Sequence, residues 1–175
     1  MSEYYLNTSN INEWVDSLKA GDRVYLSGTV YTARDAAHKK IFHLLDNGET
    51  LPFELENSVV YYAGPTPAKD YLVIGSIGPT TSSRMDTFSP RLISLGQKAM
   101  IGKGNRSNDV VNAIKTYSAV YFAAVGGAGA LYSKCIKSCD VIAFEELGCE
   151  SVKKLEVKDF PLLVAIDSSG ESLYR

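Results

Sequence analysis

The chain has 175 residues, 45% of them hydrophobic and 22% charged, with a formal net charge of −2. That length suits one domain with a real core, and the slightly acidic balance argues against a general nucleic-acid binder, which needs a basic surface to neutralise phosphates. No apolar run approaches the roughly 20 residues of a membrane span. The opening Met1-Ser2-Glu3-Tyr4-Tyr5 lacks the charged-then-apolar layout of an export signal. The expectation is a cytoplasmic protein that engages neither membrane nor nucleic acid.

Asn7-Thr8-Ser9-Asn10 precedes Ile11, Trp14, Val15 and Leu18 at helical spacing, which predicts a short capped helix ending near Ala20-Gly21. Residues 23–31 alternate and carry β-branched side chains, so they read as a strand. An alanine-rich helix follows over residues 32–41, with Arg34, Asp35 and His38 in its first turns. Residues 59–62 form a strand broken at Gly64-Pro65, and residues 71–77 read as another strand. Residues 98–105 give a short strand ending in the glycine-flanked Lys103, and residues 107–115 have helical periodicity at Val110, Val111 and Ile114. Residues 120–125 are a buried-strand candidate followed by Gly126-Gly127-Ala128-Gly129. Cys135 and Cys139 stand four apart on an expected helix. Strands are then predicted over 140–144, 152–157 and 162–167, with a turn at Lys158-Asp159-Phe160-Pro161 between the last two. There is no repeat and no linker long enough to mark a second unit, so residues 1–175 read as a single α/β domain, a mixed sheet layered with helices.

Four strand ends carry polar chemistry. They are Arg34-Asp35 with His38, Thr80-Thr81 with Arg84, Gly102-Lys103-Gly104, and the Gly126 to Gly129 turn. Parallel neighbouring strands would bring these turns to one edge of the sheet. Two arginines and a lysine meeting there would suit a small dicarboxylate. The stretch Gly78-Pro79-Thr80-Thr81-Ser82-Ser83-Arg84-Met85-Asp86 is the richest of them. Its Gly-Pro break stops a ladder, and its hydroxyls, amides and guanidinium are donors for an anion. The glycine turns match neither the dinucleotide fingerprint nor a P-loop. The three cysteines, Cys135, Cys139 and Cys149, lack a tight cluster spacing, and no metal-ligand set is evident. Their role stays open, and packing is the simplest one.

These blocks, together with Ser27-Gly28-Thr29 and Tyr62-Ala63-Gly64-Pro65, resemble the β subunit of two-subunit class I (iron–sulfur) fumarate hydratases. That subunit corresponds to the C-terminal domain of the single-chain enzymes, and the L-tartrate dehydratase β subunit is related. The resemblance implies a swivelling β/β/α domain docked on an α subunit in an α2β2-type hetero-oligomer. It implies a [4Fe–4S] cluster on that α subunit and none on this chain. It implies a hydro-lyase active only with its α subunit, hydrating fumarate to L-malate, with Thr80 as the proton-transfer residue. Arg34, Arg84 and Lys103 take the places of the substrate-carboxylate binders. Asp35, Thr81 and His38 are possible supporting residues, and Asp35 is a local candidate to activate Thr80, to orient Arg34 or to cap its helix. The alternatives are a tartrate or other hydroxy-diacid dehydratase, or a dicarboxylate-binding module without catalysis.

Overall fold

In the computed structural model, which describes residues 1–174, twelve elements follow in chain order. They are β1 (Glu3–Asn7), α1 (Ile11–Trp14), β2 (Arg23–Thr32), α2 (Asp35–Asp46), β3 (Val59–Tyr61) and α3 (Ser89–Ser94), then β4 (Ala99–Gly102), α4 (Asn108–Tyr117), β5 (Val120–Ala123), α5 (Gly129–Lys134), β6 (Ile136–Ala143) and β7 (Val152–Ile166). β2, β3, β4 and β5 are parallel neighbours in that order. The long β7 runs antiparallel to β5 and, along its other edge, to β2. The five strands therefore close a ring, with β1 beside the start of β2 and β6 beside the start of β7. This is the mixed sheet with layered helices that the sequence predicts.

Strand alternation divides the interior in two. Val59, Tyr61, Ala99, Ile101, Val120 and Phe122 point into one core, where they meet Val24, Leu26, Leu155, Phe160 and Val164 from β2 and β7. The intervening Val60, Met100 and Tyr121 point into a second core. That core is covered by Ala37 and Ile41 of α2, Leu92 and Ile93 of α3, and Val110 and Ile114 of α4. The helices bury one stripe each, as their spacing requires. Ser107 caps α4 by accepting from the Val110 N–H at 3.4 Å.

Five expectations change. The N-terminal helix is broken into α1 flanked by 3-10 turns at Thr8–Asn10 and Val15–Ser17. α2 starts at Asp35, because Thr32 is the last residue of β2. Residues 71–77 form no strand, although their apolar character suggests one. Both edges of β3 are already taken by β2 and β4, and Tyr71, Leu72 and Val73 lie exposed in a loop closed by Thr66 N–H donating to Ser76 O at 2.9 Å. The turn at residues 158–161 is absent, and β7 passes straight through it. The extra residue is taken up as a bulge opposite Leu26 and Gly28, with Asp159 at φ 50° and its N–H donating to the Ser27 hydroxyl at 3.0 Å. Finally, Cys135 and Cys139 share no helix: Cys135 follows α5, and Cys139 sits in β6 paired with Leu155.

Candidate active site

The ends of β2, β3, β4 and β5 all lie at one end of the sheet, and the backbone knits the loops beyond them together. Ala33 N–H donates to Tyr61 O at 3.1 Å, Tyr62 N–H to Ile101 O at 2.9 Å and Ala124 N–H to Gly102 O at 2.8 Å. The loop of residues 78–86 crosses over this end. Pro79 bridges Ala63, Thr80 N–H donates to Tyr62 O at 2.8 Å, and Thr81 bridges Lys103. Ser82 then exchanges two bonds with Lys103: its N–H donates to Lys103 O at 2.9 Å, and its hydroxyl accepts from Lys103 N–H at 3.0 Å. A Cβ at Gly102 would overlap that hydroxyl, so only glycine lets the loop lie this close to β4.

Four of the residues singled out in the sequence are thereby gathered. Thr80 is half-buried on the Tyr62 side, while Arg84 and Lys103 are exposed. Arg34 precedes α2 with its side chain 23% exposed, beside Glu150 at 3.8 Å. Its terminal nitrogen would stand 3.1 Å from a Cβ at Gly64, so glycine there makes room for the guanidinium. Lys103 lies along Gly126, whose added Cβ would be 3.7 Å from its Nζ. Arg84 Nε donates to Asp35 Oδ1 at 2.9 Å, and its two terminal nitrogens have no protein partner among the described residues. A guanidinium fixed through Nε with both ends free is prepared for a planar carboxylate.

The three possible supporting residues fall in different places. Asp35 holds Arg84 rather than Arg34, makes no cap bond to α2, and is not bonded to Thr80. Thr81 is exposed and contributes its backbone bridge to Lys103. His38 is neither at the rim nor on an outer helix face: it is fully buried between Tyr62 and Phe88, with Nδ1 2.8 Å from Arg34 O. Burial holds its pKa down to about 4, against the opposing pull of the Arg34 carbonyl and the Asp35 charge, with Arg106 adding to the depression. It is a neutral imidazole that braces the start of α2.

Three contributors escaped the sequence reading. Glu150, on the 3-10 segment Glu145–Glu150, faces Arg34. Lys153 is buried and fixes that segment, donating to the carbonyls of Gly148 and Cys149, each at 3.2 Å. Arg106 is buried on Asp86 at 2.7 Å behind the loop. No local signal marks any of them, because each partner comes from a distant part of the chain.

The cysteines do not assemble a metal centre. Burial raises the pKa of Cys135 and of Cys139, which keeps both as thiols packed at the edge of the first core, and Cys149 is exposed elsewhere. Among the described residues, no group of three His, Cys, Asp or Glu could hold a metal ion. No helix among the described residues is long and apolar enough to cross a membrane.

Comparison with known proteins points the same way as the rim. A provisionally named L(+)-tartrate dehydratase subunit beta of Methanocaldococcus jannaschii is 46% identical over 167 residues, covering 92% of this chain and 86% of that protein. Fumarate hydratase 2 of Leishmania major is 40% identical over 94% of this chain, and the aerobic class I fumarate hydratase of Escherichia coli K12 is 38% identical over 87% of it. The chain spans only 29% and 28% of those two fumarate hydratases. These relatives are named as hydro-lyases. The family model described as Fumarase C-terminus matches residues 1–175, and the chain belongs to that family.

Proposed function

We propose that this chain is the β subunit of a hydro-lyase acting on a small hydroxy-diacid, with fumarate and L-malate as its substrate pair. The observation that carries the reading is the meeting of Arg34, Thr80, Arg84 and Lys103 at the C-terminal ends of four parallel strands. Removing a carbon-bound proton next to a carboxylate builds negative charge onto that carboxylate. Cations fixed on it stabilise the developing charge more than the ground state, which is what lowers a barrier. In this reading Arg34, Arg84 and Lys103 supply that charge, with Arg84 held beside the start of α2 through Asp35. Thr80 holds or returns the proton at its hydroxyl.

A free threonine hydroxyl is a weak base, and Asp35, the local candidate to activate it, is engaged by Arg84. In our reading the activating group comes from an α subunit that covers the open rim. We assign the [4Fe–4S] cluster expected of such an enzyme to that α subunit as well, since the described residues of this chain gather no donor set for one. The assembled form would be an α2β2-type hetero-oligomer. A second reading, L-tartrate dehydratase, is favoured by one observation: the tartrate dehydratase subunit beta matches this chain over most of its own length.

The test is the α–β complex, reconstituted without oxygen and assayed on malate, fumarate, both tartrates and methylmalates. Interconversion of malate and fumarate is expected, and Thr80→Ala should cut kcat by about 10²–10⁴-fold with assembly intact. A Thr80→Ala complex as fast as the wild type removes the threonine from the chemistry. Preferred turnover of tartrate moves the substrate to the second reading.

A further inference from the structure

The Arg106–Asp86 pair is the most enclosed ion pair among the described residues, with side-chain exposures of 0% and 12%. Arg106 reaches several elements at once. Its Nε donates to Asp86 Oδ1 at 2.7 Å, one terminal nitrogen donates to the Ser89 hydroxyl of α3 at 2.7 Å, and the other lies 3.6 Å from Met100 Sδ in β4. Its guanidinium carbon stands 5.3 Å from the centre of the Tyr62 ring and 4.9 Å from that of Tyr121. The second Asp86 oxygen accepts from Ser107 N–H at 2.6 Å. Tyr121 in turn donates from its hydroxyl to Ser82 at 2.9 Å, the same hydroxyl that receives Lys103 N–H.

Taking two charges out of water costs desolvation that a pair of well-packed apolar residues would avoid. Stability alone therefore does not account for the pair, whereas position does. Asp86 comes just after Arg84 in the chain, and Arg106 just after Lys103. The pair ties the loop bearing one cation to the loop bearing the other, inside a frame of two aromatic rings. Thr80 is anchored separately, by its N–H on Tyr62 O at 2.8 Å.

We propose, building on the function proposed above, that Arg106 and Asp86 are positioning residues that set the spacing between Arg84 and Lys103, and so the length of diacid the rim accepts. Because Thr80 has its own anchor, loosening the pair acts on carboxylate capture and leaves the proton transfer nearly intact. In the α–β complex, Asp86→Asn and Arg106→Lys should each raise KM for the four-carbon diacid by about tenfold or more while kcat changes by less than about threefold. Arg84→Ala should then add little to KM in the Asp86→Asn background, since the two changes remove the same contact. The near-isosteric Asp86→Asn carries the test if Arg106→Lys does not fold.

Lowered thermal stability with an unchanged KM, or full additivity with Arg84→Ala, would show a purely structural pair and overturn the proposal. A wild-type complex that turns over no diacid removes the functional reading instead. The clamp is then read from malate affinity by calorimetry: weakening of about tenfold in Asp86→Asn supports it, and unchanged or absent malate binding overturns it.

Discussion

Arg84 and Arg106 bracket the same loop and make opposite use of the same side chain. Arg106 is sealed behind the loop, and hydroxyl, carboxylate, thioether and two aromatic faces surround it. Arg84 stands on the rim with its side chain 51% exposed, one carboxylate on Nε and both terminal nitrogens free among the described residues. A guanidinium with its donors engaged by protein is part of a frame. One with donors left over can take a further partner. This end of the sheet therefore has a buried back layer, made of His38, Tyr62, Asp86, Arg106 and Tyr121, and a front layer of Arg34, Thr80, Arg84 and Lys103 whose partners are incomplete. Substitutions in the back should cost stability, with Asp86 and Arg106 also moving KM through the two loops they tie, and those in the front should cost function with little loss of stability.

The largest effect expected in the back layer is a pH effect at His38. Its pKa falls from an ordinary 6.5 to about 4 on folding, chiefly by burial. Between those values the unfolded chain binds a proton that the folded chain refuses, so stability is complete above pH 6.5 and is lost as the pH falls towards 4. The shift corresponds to about 3 kcal/mol. Urea midpoints measured from pH 7.5 to 4 should show this slope in the wild type and a flatter one in His38→Phe, where the remaining slope comes from carboxylates. Equal slopes in the two proteins would move His38 out of the buried layer.

The two layers were unequally legible in the sequence. Arg34 and Lys103 could be found because they stand where β2 and β4 give way to a helix start and to glycine. Thr80 and Arg84 could be found from the Gly78-Pro79 break and its hydroxyls, although no strand precedes it; parallel pairing brings these segments to one edge. The partners that hold them could not. Glu150 meets Arg34 only because the segment between β6 and β7 returns to the end of β2, and Arg106 meets Asp86 only once α4 is packed. The same limit explains the misread strand at residues 71–77. Its apolar residues look like a strand, but the edges it would need are occupied by β2 and β4, which no local window reveals. At residues 158–161 turn chemistry and bulge chemistry use the same ingredients, a positive φ at Asp159 and a proline. The choice was made by β2, which pairs along β7 on both sides of the bulge.

A smaller effect is expected at Tyr121, in the same back layer. The Tyr121 hydroxyl lies 2.9 Å from both Ser82 Oγ and Gly104 O, and burial raises its pKa, so it remains a donor at any ordinary pH. Tyr121→Phe keeps the ring against Arg106 and removes only that donor. A loss of about 1–2 kcal/mol in denaturant unfolding is expected, the cost of leaving buried acceptors without a donor. A loss near zero would mean that the Ser82–Lys103 exchange holds the loop without help from β5.

The smallest stability effect should belong to the front layer. Arg84 loses one exposed ion pair with Asp35 when it is replaced by alanine, and such pairs contribute at most about 1 kcal/mol. Asp35 gains access to water at the same time, so its charge is not stranded. Unfolding of Arg84→Ala should therefore stay within about 0.5 kcal/mol of the wild type, while KM for the diacid in the α–β complex rises by about one to two orders of magnitude. Stability and binding would then separate at one residue, with the first almost untouched and the second nearly lost. The reverse pattern, a protein that unfolds easily and binds its diacid normally, would place Arg84 in the frame with Arg106 and erase the distinction between the two arginines. The measurement is direct because the two layers share a loop: the same few residues carry Arg84 outward and Asp86 inward, and only the count of satisfied donors tells them apart.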